Sequence, residues 1–171
     1  YYQNDVTNHQ LAKYQYVLKA PVPTKQAAEK YCMNTLKTTF GREGGEDISV
    51  YGISSGSAYV GLNLQGGKIY VSDGFAEKYS LFTGDTIKLK DPYGSKTYEF
   101  KIAGTYHYPA ALSAFMDRES FNKKFGNKSD SFTGYFSNRK ITDLKSQYIA
   151  SILTKDDFTK LTRQMQATMG N

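Results

Sequence analysis

The chain has 171 residues, room for one domain with a proper core or for two small lobes, and too few for a large enzyme. Hydrophobic residues make up 39% and charged residues 22%, which excludes disorder, and no apolar run approaches the ~18 residues of a membrane span. The net charge of +6 is scattered in pairs such as Lys123-Lys124 and Arg139-Lys140, which reads as a solvated surface rather than a polyanion-binding tract.

The aromatic residues are 15 Tyr and 10 Phe with no Trp, a composition that leans towards half-buried strands. The first residue is Tyr and no signal-peptide core follows it, so a piece of something longer or a processed product is expected. Cys32 is the one cysteine, which rules out an internal disulfide and suits a bacterial extracytoplasmic domain better than a secreted eukaryotic one.

Residues 1–12 are polar and open on Tyr1-Tyr2. Tyr14, Tyr16 and Leu18 then alternate with Gln15, Val17 and Lys19, which predicts a strand. Pro21-Val22-Pro23-Thr24 stops it and offers Thr24 as a helix cap. From Lys25 to Phe40 the stripe Ala28, Tyr31, Cys32, Leu36, Phe40 has helical spacing, with Gly41 to end it, and Cys32 reads as a buried structural thiol. Ile48 to Ile53 is the next strand, so the opening reads β-α-β.

Val60, Leu62 and Leu64 alternate before Gly66-Gly67, and Ile69 and Val71 after it, which predicts a second pair of strands. Ser72 stands where a cap would, before a short helix carrying Phe75, Ala76 and Tyr79 on one face. Ile87 and Leu89 then alternate with Lys88 and Lys90, a turn DPYGSK follows, and Tyr98, Phe100 and Ile102 alternate with Glu99 and Lys101. That is a hairpin with one wet face. Asp117 caps a helix with Phe121 and Phe125 one turn apart. Phe132 to Phe136 and Tyr148 to Leu153 read as strands. Thr154 to Asp157 forms a capping box for a terminal helix with Phe158, Leu161, Met165 and Met169 along one face.

The stretch IYVSDGFAEKYSLFTGDTIKLKDPYGSKTYEFKIAGTYHY, followed by FMDRESFNKKFG, resembles a segment of FtsX/MacB-like ABC-transporter permeases, particularly those of Gram-positive bacteria. The resemblance implies an α+β fold in which a discontinuous α/β lobe carries an inserted, mostly β lobe, the whole lying between two membrane helices on the extracytoplasmic side of the cell membrane. On that division residues 1–12 are membrane-proximal, 13–66 and 113–171 form the α/β lobe, and 67–112 form the insertion. The resemblance further implies a non-catalytic role: ATP is bound by a separate cytoplasmic ABC ATPase, and this domain passes the motion of the membrane helices to an external substrate or partner. It allows a dimer of permeases. The candidate coupling helix carries Phe158, Leu161, Met165 and Met169. The alternative is a free-standing module for an anionic polymer, a wall glycan or nucleic acid.

Chemistry of the chain's own is poorly provided for. Gly52-Ile53-Ser54-Ser55-Gly56 matches G-x-S-x-G, but a nucleophile elbow needs a helix after the serine, and Ala58 to Leu64 reads as strand. Asp85, Asp91 and His107 could supply a triad order, though His107 lies between Tyr106 and Tyr108 in an expected strand. His9, His107 and Cys32 have no ligand-spaced neighbours, so no catalytic, cofactor or metal site is expected. No P-loop is present. Asn127-Lys128-Ser129 is a glycosylation sequon of no consequence in a bacterium. Lys88, Lys90 and Lys101 sit opposite Tyr98 and Phe100 on the hairpin rather than among them, which argues against nucleic acid.

Overall fold

The structure, a computed structural model, describes residues 11–169. The expected segment 1–12 therefore lies almost wholly outside the described residues, as does His9. In chain order the elements are β1 (Tyr14–Leu18), β2 (Glu29–Thr38), β3 (Asp47–Ile53), β4 (Ile69–Ser72), α1 (Asp73–Tyr79), β5 (Thr86–Lys90), β6 (Thr97–Tyr106), β7 (Ser113–Asp117), α2 (Arg118–Lys124), β8 (Gly134–Ser137), β9 (Ile149–Thr154) and α3 (Lys155–Met169). The fold class is α+β, as expected.

One correction concerns residues 25–40: Glu29–Thr38 form the strand β2, and no part of the segment is helical. The opening is β-β-β. The reason lies in where β2 sits. It pairs with β3, β5 and β8, and so belongs to two layers at once. Tyr31 and Cys32, neighbours in sequence, are both buried, one on each face of the strand. Burial on both faces removes the alternation that marks a strand with one wet side.

The nine strands form one sheet in the order β3-β7-β4-β6-β5-β2-β8-β1-β9, and β3 also pairs with β2. That last pairing closes β3-β7-β4-β6-β5-β2 into a barrel, from which β8, β1 and β9 continue as a second layer. Two of the barrel's ladders are parallel, β3–β7 and β4–β6. Residues 67–112 supply β4, α1, β5 and β6, a contiguous part of the wall that joins β7 on one side and β2 on the other.

Inside the barrel lie Leu36, Ile48, Val50, Ile69, Val71, Ile87, Leu89, Phe100, Ile102 and Ala114, all buried. The hairpin alternation is as expected: Ile87, Leu89, Phe100 and Ile102 point in, Lys88 and Lys101 out. Two short helices plug the ends. α1 inserts Phe75, and α2 inserts Phe121. Asp117 caps α2 by accepting from the Ser120 N–H at 3.0 Å. Ser72 does not cap α1; its hydroxyl accepts from the Ser113 N–H at 3.0 Å and ties β4 to β7 instead.

Residues 58–64 are a loop, not a strand. The Ser57 hydroxyl accepts from the N–H groups of Tyr59 and Val60, both at 3.0 Å, and donates to the Glu29 carboxylate. These bonds give the backbone an alternative to a ladder. Val60 and Leu64 still reach a second core between barrel and outer layer, built on Tyr31, Tyr51, Phe115 and Phe136. Tyr31 stacks on Phe136 at 4.3 Å and Tyr51 on Phe115 at 5.2 Å. A third, smaller core of Tyr16, Leu18, Tyr135 and Ile141 covers the far face of the second layer.

Candidate functional site

The terminal helix starts where the sequence places it. The Asp157 carboxylate accepts from the N–H and the hydroxyl of Thr154 at 2.9 and 3.0 Å, and these bonds hold its pKa below the usual carboxylate range. Asp156 and Asp157 both lie in the first turn, where the helix dipole favours acid.

Phe158 is buried in the second core, its ring edge-on to Tyr108 at 5.7 Å and in the same cluster as Leu11. One turn on, Thr162 is completely buried, and Met165 packs against the barrel core. The inward line is thus Phe158, Thr162, Met165, at the i, i+4, i+7 spacing of one helix face. Leu161 is 38% exposed and stands off this line. The side chain of Met169 lies outside the described residues. Of the four residues expected to form the buried stripe, Phe158 and Met165 meet the body of the domain, and Leu161 does not do so fully. Thr162 escaped notice because a hydroxyl does not register in a hydrophobic pattern. Its Oγ1 has no hydrogen-bond partner among the described residues.

A cavity of about 370 Å³ opens where α3 passes the barrel, lined by Asp73, Glu77, His107, Leu112, Met165 and Gln166 among others. His107 Nδ1 is 3.1 Å from Asp73 Oδ2. Helix α3 therefore touches both cores and the α1 end of the barrel.

The start of β1 lies beside the start of α3. Tyr14 pairs with Thr154 across the β1–β9 ladder, and Leu11 shares its core with Phe158. The first described strand and the start of the terminal helix are seated side by side.

The G-x-S-x-G segment lies at the other end of the barrel, in a polar cleft of two adjoining cavities of about 550 and 430 Å³. Ser54 follows β3 there. Its hydroxyl donates to the Lys30 carbonyl at 2.7 Å and accepts from Arg118 Nε at 3.0 Å. Its proton is committed to a carbonyl, and the neighbouring side chain is a guanidinium, which cannot act as a base. The register separates Ser54 from His107. Ile53 pairs with Asp117 at one end of the β3–β7 ladder, while Ser113 at the other end abuts Ser72, whose own partner is Tyr106. Those ends are about 13 Å apart by strand rise alone. Gly52 has a packing role: a Cβ there would come within 2.8 Å of the Phe121 ring.

Three residues of this cleft were not expected. Asp130 bridges Lys30 at 2.8 Å and Arg118 at 2.9 Å, and the hydrogen bonds from Lys30 and then Arg118 hold its carboxyl below the usual range. Asp130 has φ of 65°, a left-handed conformation that Asp tolerates better than most residues. The Asn127 to Asp130 composition could have flagged a turn, but not its partners. Beneath the cleft, Cys32 is buried and donates to the Ser131 carbonyl at 3.1 Å; burial pushes its pKa up to about 11. It is an inert thiol. Among the described residues, no three His, Cys, Asp or Glu side chains gather as metal ligands, and no helix is long and apolar enough to cross a membrane.

No family model matches the chain, and no curated protein does. Among solved structures it is similar to the extracellular domain of the noncanonic ABC-type transporter YknZ from Gram-positive bacteria. The identity is 15% and the TM-score 0.43, over 98% of this chain and 83% of that one.

Proposed function

We propose that this chain is the extracytoplasmic domain of a bacterial FtsX/MacB-like ABC-transporter permease, and that it transmits motion of the membrane helices outward without catalysis of its own. The observation that carries the reading is the seating of β1 beside α3. Tyr14 faces Thr154, so the first described strand and the base of α3 are fixed at one level of the outer layer. Helix α3 is also anchored to both cores by Phe158 and Met165. A stiff element held at several points is suited to passing displacement to the rest of the domain. The sequence resemblance over Ile69 to Gly126 supports the same reading. On this reading ATP binds a separate cytoplasmic ATPase, and the chain needs no cofactor.

Nothing favours the polyanion module. The polar cleft at the Ser54 end sets Asp117, Glu119 and Asp130 against Arg118 and Lys123, which is no surface for a phosphate or sulfate polymer.

The test is a full-length permease carrying Lys160→Pro, with ATPase rate and transport or phenotype measured on the same preparation. Loss of output with hydrolysis near normal is expected. Output that survives a broken α3 would remove this helix from the coupling path and leave the segment before β1 to carry the motion alone.

A further inference from the structure

Helix α3 carries two inward-facing arcs that overlap without coinciding. At about 100° per residue, Leu161 lies about 60° to one side of Phe158 and Thr162 about 40° to the other, with Met165 between Phe158 and Leu161. Thr162 is completely buried, whereas Leu161 is 38% exposed. The polar member of the pair is thus the one inside. Thr159 and Thr168, on the same helix, donate their hydroxyls to the carbonyls of Lys155 and Gln164 at 3.1 and 3.0 Å. Thr162 makes no such bond, and its Oγ1 has no partner among the described residues. A buried hydroxyl without a partner and a leucine left partly in water both cost free energy. One turn of the helix about its axis removes both costs.

We propose that α3 has two seats related by a rotation of about 50° about its own axis: the one described, with Thr162 inward, and a second with Leu161 inward and Thr162 facing water. Phe158 and Met165 lie near the middle of the combined arc and stay inward in both, so the helix keeps its hold on the two cores. The surroundings admit the change. Leu161 lines a small cleft with Leu11, Leu153 and Tyr108. On the other side, the cavity of about 370 Å³ beside Met165 and Gln166 leaves room to repack that a filled core would deny. The capping bonds between Thr154 and Asp157 are local to the helix and turn with it, so the twist is taken up where β9 ends. In the second seat Thr162 reaches water, or the carbonyl four residues back as Thr159 and Thr168 do. The two seats belong to the domain itself. Only their use in coupling rests on the permease reading, and their absence would leave that reading standing.

The experiment is thiol labelling of the folded 171-residue chain carrying Thr162→Cys, with Cys32 in the same molecule as reference. Cys32 is buried in the barrel and reports the opening of the barrel itself. A thiol is more at home in an apolar core than a hydroxyl, so the variant does not exaggerate the second seat. The thiol at position 162 should react about ten-fold faster than Cys32 or more, through an opening short of unfolding. Adding Leu161→Ala removes what the second seat buries and should slow position 162 about five-fold without slowing Cys32. Labelling at 162 no faster than at Cys32 overturns the proposal, because the helix then holds one seat. Fast labelling that Leu161→Ala leaves unchanged or quickens overturns it too, because the helix then leaves the barrel instead of turning on it. If Thr162→Cys fails to fold, the Leu161 methyl carbons of the wild type decide by nuclear magnetic resonance. Two environments, the minor one lost in Thr162→Val, are expected, and a single environment in both proteins overturns the proposal.

Discussion

Tyr14 and Thr154 stand opposite each other in the β1–β9 ladder, so the first strand and the last helix set out from one level of the outer layer. The helix is secured there by Phe158, and its neighbours on the same surface contribute unequally. Phe158→Ala removes a buried ring from the second core and should cost about 3 kcal/mol in urea unfolding. Leu161→Ala, at a site 38% exposed, should cost well under about 1 kcal/mol. Thr162→Val exchanges a buried hydroxyl without a partner among the described residues for a methyl of the same shape and should stabilise by roughly 1 kcal/mol. Equal costs at 158 and 161 would mean that the helix is rotated from the position described.

Gly52 tests the plug at the Ser54 end of the barrel. A Cβ at 52 would meet the Cβ and ring of Phe121 at 2.8 Å and the Cβ of Cys32 at 3.1 Å. Neither neighbour can withdraw, since α2 is capped by Asp117 and β2 is paired on both sides. Gly52→Ala should destabilise by about 2 kcal/mol or more, read as a shift in the urea midpoint at constant slope. Gly52→Ala with Phe121→Leu should recover part of the loss. A harmless single substitution would show that α2 does not seat Phe121 in the barrel.

Strands with one wet face could be read from the residues, and strands buried on both could not. The hairpin β5–β6 announces itself because Lys88 and Lys101 are out while Leu89 and Phe100 are in. β2 conceals itself because Tyr31 faces the outer layer and Cys32 the barrel, so the buried positions mimic a helical stripe. The loop at 58–64 was misread as a strand for the opposite reason: Val60 and Leu64 are buried with no ladder beneath them, held by the hydroxyl of Ser57. The helices α2 and α3 came through well since their caps are local, Asp117 with Ser120 and Thr154 with Asp157. Barrel closure was beyond the sequence, because it depends on β3 meeting both β2 and β7, a long-range pairing that no local pattern encodes. The Lys30–Asp130–Arg118 bridge spans a hundred residues and was equally hidden.

Ser54 should be no nucleophile. With its hydroxyl donated to the Lys30 carbonyl and no imidazole within reach among the described residues, wild-type protein and Ser54→Ala should give the same background rate on activated esters and on peptides. Turnover by the wild type that the alanine variant lacks would make this a hydrolase and end the non-catalytic reading.

Asp130 should give the domain a small acid-sensitive share of its stability. Lys30 and Arg118 lower its folded-state pKa below the unfolded value, so the stabilisation is fully present above the ordinary carboxylate range and lost as pH falls through the folded-state value. Its side chain is 63% exposed, and water screens most of the attraction. A surface-pair magnitude of about 0.5 kcal/mol is therefore expected at about pH 7. Asp130→Asn is the right probe, because asparagine accepts the φ of 65° and changes the charge alone. Urea unfolding of both proteins from about pH 7 down to about pH 2 should show the wild type ahead at neutral pH and the two curves meeting at the acid end. Added salt should narrow the neutral gap. A gap that stays constant across that range would assign the effect to the turn's backbone and not to the bridge with Lys30 and Arg118.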